Sequence, residues 1–69
     1  MTREDLAKVE KYLRTTFNLS TIGLRPRPRK TDSAEVYIGE EFIGTLSEDV
    51  EEGEKSYHFQ MAILAEDLD

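Results

Sequence analysis

The stretch "IGLRPRPR" (Ile22 to Arg29) places isoleucine, leucine and two prolines at even positions, and glycine and three arginines at odd positions. In an extended strand, this period of two sends the two sets of side chains to opposite faces of a sheet. Proline lacks the N–H that a sheet ladder needs, so it is confined to edge strands and bulges. We therefore predict an edge strand over residues 21–28. Its even side chains should lie on the core, its arginines in water, and its outer border should have few donors.

The residues before this strand predict an amphipathic helix over residues 2–17. Thr2 is a good N-cap, and acidic residues follow it in the first turn, where the helix dipole favours negative charge. The exposed side of the helix is mostly basic. Apolar side chains recur at steps of three and four residues, the spacing of one helix face: Leu6, Val9, Leu13 and Phe17.

The residues after the first strand predict a meander. Lys30–Ser33 is expected to be a turn, and Glu48–Glu54 an acidic loop. The last strand is apolar on both faces in its second half, which indicates a central strand or contact with a second subunit. The predicted fold is a single small α+β domain over residues 1–69, with an N-terminal amphipathic helix packed on a four-stranded antiparallel β-meander. The strands are expected at about 21–28, 33–39, 42–47 and 55–64.

The hairpin between the second and third strands has two possible registers. Apolar patterning favours a three-residue loop that pairs Ile38 with Phe42, because burial specifies register strongly. Turn chemistry favours Gly39-Glu40 as a two-residue turn, which would pair Tyr37 with Phe42. We favour the first. The core is then expected to comprise Leu6, Val9, Leu13, Phe17, Ile22, Leu24, Val36, Ile38, Phe42, Leu46, Phe59, Met61 and Ile63.

Composition limits the classes of function. The 69 residues include no cysteine, which excludes disulfides and thiolate metal sites and fits a reducing compartment. The N-terminus has no apolar signal region, and the longest apolar run, "MAILA", is too short for a membrane span. We expect a cytoplasmic protein without membrane contact. A chain this short has a thin core, and such proteins often gain stability by association.

Charge is divided between the two halves of this acidic protein. Residues 1–30 carry eight Lys/Arg and three Asp/Glu, whereas residues 31–69 carry one Lys and twelve Asp/Glu, for a net charge of −6. Such asymmetry can indicate a nucleic-acid-binding region or an acidic tail. We favour mutual neutralisation of the two halves in the folded protein, since surface charge affects solubility and association rather than fold.

The arginine row is the main candidate for binding. Successive arginines on one face of a strand lie about 6–7 Å apart, close to the phosphate spacing of an extended single strand. No aromatic residue interleaves with them for base stacking, so ion pairing with Glu35 or with a second subunit is the first interpretation. The candidate interaction surface consists of Arg25, Arg27, Arg29, Lys30, Tyr37 and His58.

No set of residues indicates catalysis, a cofactor or a metal. His58 is the only histidine, and no nucleophile or further ligand can be named beside it. The acidic segment does not fit a calcium-binding loop, because counting from Asp49 puts Gly53 at the fifth position and Gln60 at the twelfth. We expect a non-enzymatic protein with no cofactor, no catalytic residue and no metal.

The runs "DSAEVYIGEEFIG" (Asp32 to Gly44) and "FQMAIL" (Phe59 to Leu64) resemble a short alphaproteobacterial family known as domain of unknown function three-one-two-six. The resemblance covers nearly the whole chain, and the length matches. It implies a small cytoplasmic bacterial protein, and it supplies no catalytic residue.

The sequence as a whole predicts a protein-interaction module that associates with itself or docks on a protein partner. The reasons are the thin core, the two-sided apolar last strand and the opposite charges of the two halves. The alternative is binding of nucleic acid or another polyanion through the basic helix face and the arginine row.

Overall fold

The structure consists of one helix followed by a four-stranded sheet. The computed structural model describes residues 1–68, and the strands form one antiparallel sheet in the order β1-β2-β3-β4, so that β1 and β4 are its edges. The predicted α+β meander is confirmed, and so is the edge position of β1. The elements are α1 (Arg3–Phe17), β1 (Ile22–Arg27), β2 (Lys30–Ile38), β3 (Glu41–Glu51), β4 (Glu54–Gln60) and a 3-10 turn (Ala65–Asp67).

Helix α1 begins with a reciprocal pair of hydrogen bonds. The Asp5 backbone N–H donates to the Thr2 hydroxyl at 3.0 Å, and the Thr2 backbone N–H donates to the Asp5 carboxylate at 3.0 Å. These bonds satisfy donors that a helix start otherwise leaves free, so they fix the first turn. The helix ends at Asn18, whose left-handed conformation (φ 53°) closes the last turn near the predicted position.

The capping carboxylate gives a pH dependence of stability. The Thr2 backbone N–H holds the pKa of Asp5 below its ordinary value, and Lys55 acts in the same direction. A carboxyl group whose pKa is lower in the folded protein stabilises it above the unfolded pKa, and this stabilisation is lost as pH falls through the folded pKa. We expect urea denaturation to show Asp5→Asn less stable than wild type near neutral pH, with the two converging near pH 2. A difference that stays constant down to that pH would contradict this role for Asp5.

Two tight turns connect β2, β3 and β4. Gly39-Glu40 joins β2 to β3, and Gly39 has a φ of 61°, as the first position of a type II′ turn requires. Glu52-Gly53 joins β3 to β4 with φ values of 52° and 83°, the pattern of a type I′ turn. The acidic segment Glu48–Glu54 was expected to be a loop, but outside these two turn residues it is paired strand.

Both predicted registers of the β2–β3 hairpin occur, one on each side of a bulge. Next to the turn, Tyr37 pairs with Phe42, as turn chemistry predicts. Beyond the bulge, Val36 pairs with Gly44, as apolar patterning predicts. The extra residue is Ile43, which packs against the core, whereas Phe42 is displaced from its predicted core position. The favoured three-residue loop was therefore wrong for the turn and right for the rest of the hairpin.

The connection from β1 to β2 also differs from the prediction. The chain reverses at Pro28-Arg29, not over Lys30–Ser33. The register of the pair is regular from Ile22 to Pro26 and shifts between Pro26 and Arg27, at the end of β1. Pro26 precedes the shift and lies opposite the buried Ala34, but it is exposed and does not pack against the core cluster, and Pro28 is exposed in the turn. The prediction that both prolines pack on the core is therefore wrong.

The core lies between α1 and one face of the sheet, which we call the core face. In residues 1–68 the buried hydrophobic residues are Leu13, Ile22, Ala34, Val36 and Leu46. Partly buried residues packed around them include Val9, Leu19, Leu24, Ile38, Ile43, Tyr57 and Phe59. Four residues predicted to be in the core are exposed instead: Phe17, Phe42, Met61 and Ile63.

Strand β4 ends at Gln60, four residues before its predicted end, because the chain passes close over Gly44 there. A Cβ atom on Gly44 would lie 2.2 Å from the Gln60 carbonyl oxygen and 2.8 Å from the Phe59 ring. Glycine permits this close approach of two backbones. The apolar segment Met61–Leu64, predicted as the second half of the strand, therefore lies outside the ladder and is exposed.

Candidate functional site

Arg25 and Tyr37 form a contact that was not expected from the arginine row. They lie on neighbouring strands, on the open face of the sheet away from α1, and the guanidinium carbon is 3.8 Å from the centre of the ring. Arg25 also lies 3.5 Å from the Glu40 carboxylate, and Tyr37 packs against Phe42 with ring centres 5.7 Å apart. The row thus has an aromatic neighbour in Tyr37. The Arg25 guanidinium already covers one face of the Tyr37 ring, so this ring is a weaker stacking platform for a nucleic-acid base.

The other cations of the row lie around the β1–β2 turn. Arg27 ends β1, Arg29 is in the turn, and Lys30 begins β2. Among residues 1–68, none of the three forms an ion pair. The expected pairing of the row with Glu35 is not formed, and this carboxylate accepts a hydrogen bond from the Tyr37 hydroxyl at 3.3 Å instead. The row is therefore divided into Arg25, which contacts Glu40 and Tyr37, and a basic end of the sheet, which consists of Arg27, Arg29 and Lys30.

His58 lies on β4, two strands away from Tyr37, so the predicted interaction surface does not form one site. Its Nε2 atom is 3.4 Å from the Ser56 hydroxyl and 3.8 Å from the Asp49 carboxylate. A Ser-His-Asp relay uses one ring nitrogen for each partner, whereas both contacts here involve Nε2. Among the described residues, no three His, Asp or Glu side chains cluster as metal ligands would.

Side chains of α1 cover the outer edge of β1. The Leu24 backbone N–H donates to Glu10 Oε2 at 2.9 Å, and Arg14 Nε donates to the Ile22 carbonyl at 2.6 Å. Glu10 and Arg14 are one helical turn apart and contact each other at 3.1 Å. The next position that faces outward is Pro26, which has no N–H to offer. The β1 edge is therefore closed to a further strand.

In residues 1–68, no side chain covers the outer edge of β4 in this way. Residues that flank a two-residue turn exchange both hydrogen bonds, so the turn at Glu52-Gly53 directs even-numbered residues of β4 toward β3. The N–H and C=O groups of Lys55, Tyr57 and Phe59 consequently face outward. Within residues 1–68, no hydrogen bond reaches these backbone groups. The β4 edge is therefore open.

The side chains of these same residues lie on the core face. Tyr57 and Phe59 are half-buried and form one wall of an apolar groove of about 370 Å³ between α1 and β4. Tyr12 lines the opposite wall and is 68 % exposed. Lys55 lies 3.8 Å from both the Asp5 and Glu48 carboxylates. The open edge is thus bordered by an apolar groove on the same side as α1.

A known protein family covers nearly the whole chain. The family model described as "Protein of unknown function (DUF3126)" matches residues 5–67 of the 69. The chain belongs to this family. The resemblance inferred from the sequence is confirmed, and DUF3126 is defined without an assigned activity. Neither the curated proteins nor the solved structures contain a match to this DUF3126 chain.

No helix in the described part of this DUF3126 chain is both long and apolar enough to cross a bilayer.

The structure identifies two sets of residues that sequence reasoning missed. The spacing of Glu10 and Arg14 is visible in the sequence as an opposite-charge pair four residues apart, but which strand they contact is not. The open edge could have been inferred from Glu-Gly at 52–53, since glycine suits a tight hairpin turn and the turn fixes which β4 groups face outward.

Proposed function

We propose that the protein is a non-enzymatic interaction module that binds a protein strand along β4. The difference between the two sheet edges carries this proposal. Side chains of α1 and a proline close β1, whereas the outward backbone groups of β4 have no partner within residues 1–68. Unpaired edge groups are a template for another strand. The proposal takes the protein to be bacterial and cytoplasmic, as its sequence predicts.

The apolar groove would give such binding its specificity. In strand addition, main-chain hydrogen bonds supply affinity, and pockets for alternate side chains select the sequence. Alternate side chains of a strand added to β4 would project toward the groove walled by Tyr12, Tyr57 and Phe59. The proposed ligand is therefore an extended segment with apolar or aromatic residues at every second position.

Photo-cross-linking in the native host tests this proposal. A photo-reactive amino acid at Ser56, which is exposed on β4, is expected to capture a protein, because the bound strand would lie beside it. The matched control places the same group at Lys11, which is exposed on α1 and away from the edge. The mass of the product shows whether the captured protein is a second copy or another protein. No more capture from Ser56 than from Lys11 would contradict the proposal.

Polyanion binding at the basic end of the sheet is the second candidate. Arg27, Arg29 and Lys30 support it, because none of them forms an ion pair within residues 1–68. The contacts of Arg25 with Glu40 and Tyr37 weaken it, since they remove one arginine from the row. A gel mobility shift of DNA or RNA that decreases with salt and is lost on charge reversal of Arg27 and Arg29 would support this candidate. No shift at low salt would exclude it.

A further inference from the structure

We infer that the strand that binds β4 is β4 of a second copy of this chain, which gives a twofold-symmetric dimer with one continuous sheet. This inference rests on the function proposed above and names its partner.

The isolated chain exposes more surface than a compact monomer of its size. Its accessible surface is 5664 Å², whereas a compact monomer of 8.0 kDa exposes about 4,450 Å². Its radius of gyration is 12.8 Å, compared with about 11 Å for a compact chain of this length. The excess of about 1,200 Å² is larger than the roughly 800 Å² that each partner buries in a standard interface. An excess of this size, summed over the whole chain, is expected of a protein that buries part of its surface against a second copy.

The positions of the apolar side chains favour antiparallel pairing of the two strands. With a twofold axis perpendicular to the sheet, both α1 helices lie on the same side. Hydrogen-bonded pairs then form between odd-numbered residues, whose side chains share the core face. Tyr57 and Phe59 of both copies would therefore pack together there, as cross-strand aromatic pairs do. Parallel pairing would send them to opposite faces, so it is disfavoured.

The extent of β4 sets the register. The midpoint of Glu54–Gln60 is Tyr57, so pairing the full strand places Tyr57 opposite its own copy. Lys55 then pairs with Phe59 of the second copy, and its aliphatic stem can lie along that ring. On the open face, Ser56 lies opposite His58 of the second copy. This register uses the outward backbone groups of all three odd-numbered residues.

A second copy fits this edge because of its side-chain pattern, and its charge gives the dimer a characteristic salt dependence. β4 itself carries aromatic residues at alternate positions, which is the pattern that the groove accepts. Each copy has a net charge of −6, so salt screens the repulsion between copies and should strengthen this dimer. Head-to-tail assembly of the basic half on the acidic half would instead weaken with salt. The salt dependence therefore separates the two modes of self-association.

The substitution Lys55→Pro tests the pairing directly. Lys55→Pro removes an N–H that faces outward and leaves the ladder with β3 intact. The outer border of β4 then contains a proline, as the outer border of β1 already does at Pro26. Lys55→Ala is the matched control, because it also loses the contacts to Asp5 and Glu48 but keeps the N–H. In sedimentation equilibrium, wild type and Lys55→Ala should have twice the 8.0 kDa mass of one chain. Lys55→Pro should raise the dissociation constant about tenfold or more, because symmetry removes the hydrogen bond twice.

Disulfide trapping tests the register without a change in the core. The chain has no cysteine, so two exposed positions can be used cleanly: Ser56→Cys in one preparation and His58→Cys in another. Directly opposite residues in a non-hydrogen-bonded pair are close enough for a disulfide. Oxidation of the mixture should give a mixed disulfide dimer, and oxidation of either variant alone should give much less. Equal yields in the three samples would contradict the register and the inference with it.

The outcomes for the dimer and for the proposed function can be told apart. A wild-type chain that stays monomeric at about 1 mM, or a Lys55→Pro variant as dimeric as Lys55→Ala, would overturn the dimer. The proposed function would stand in that case if the photo-reactive group at Ser56 captured a different protein. Capture of no protein at Ser56, together with a monomeric wild type, would overturn both.

Discussion

The substitution Gly44→Ala is expected to lower the free energy of unfolding by about 3 kcal/mol, at the upper end of the cost of adding a methyl group to a packed site. The new Cβ atom would lie 2.2 Å from the Gln60 carbonyl oxygen. This oxygen belongs to the backbone and cannot rotate away, so the end of β4 must move. The loss is a large fraction of the roughly 5–15 kcal/mol that stabilises a small protein. Urea denaturation of both proteins measures it.

Gly23→Ala is the matched control for this prediction. Gly23 also lies in a strand, and neither glycine has a positive φ. The nearest atom to a Cβ at Gly23 is Glu10 Oε2 at 4.0 Å, an ordinary contact distance. We expect a change within about 1 kcal/mol, and of the stabilising sign, because alanine restricts the unfolded chain. Equal destabilisation by the two substitutions would contradict the close approach of β4 to Gly44.

The substitution Glu10→Ala is expected to destabilise the protein by about 2 kcal/mol, because it removes a charged acceptor from a strand edge. Glu10 Oε2 accepts from the Leu24 backbone N–H at 2.9 Å, and Oε1 contacts Arg14 at 3.1 Å. The Glu10 side chain is 28 % exposed, so water replaces this acceptor only in part. Loss of the carboxylate also removes the ion-pair partner of Arg14, so the side chain that donates to the Ile22 carbonyl is held less firmly. The free energy of unfolding in urea measures the effect.

Glu10→Gln separates the hydrogen bond from the charge. The amide oxygen of glutamine can still accept from Leu24, whereas the ion pair with Arg14 is lost. We expect Glu10→Gln to retain at least half of the stability that Glu10→Ala loses, since the contact with Arg14 is partly exposed and such pairs contribute little. Light scattering should detect more association of Glu10→Ala, because its β1 edge is open. Equal losses in the two variants would contradict the role of Glu10 as an edge acceptor.

The sequence predicted the edge strand and the helix because each depends on local pattern. The helix has one apolar stripe and a Thr2 cap, and both act within a few residues. The alternation in β1 holds from Ile22 to Pro26, and Pro26 lies on the outer border of the sheet, as the period of two predicts. The prediction that both proline side chains pack on the core was wrong, because Pro26 does not pack against the core cluster and Pro28 lies in the turn.

Features that depend on distant contacts could not be predicted. The bulge at Ile43 resolves a conflict between turn chemistry and burial, and both preferences are satisfied only when one residue is added on one strand. The early end of β4 depends on Gly44, sixteen residues earlier in the chain than Gln60. The capture of Arg25 by Tyr37 and Glu40 requires the pairing of β1 with β2. Periodicity along one segment contains none of this information.

Hydrogen exchange of single backbone amides distinguishes the closed edge from the open one most directly. NMR at two protein concentrations should show Leu24 protected at both, because Glu10 accepts its N–H within the chain. Tyr57 and Phe59 should exchange freely in dilute protein and become protected at high concentration, while Ser56 and His58 stay protected through β3. Free exchange at Leu24, or no gain of protection at Tyr57 and Phe59 with concentration, would contradict a closed β1 edge and a self-pairing β4 edge, respectively.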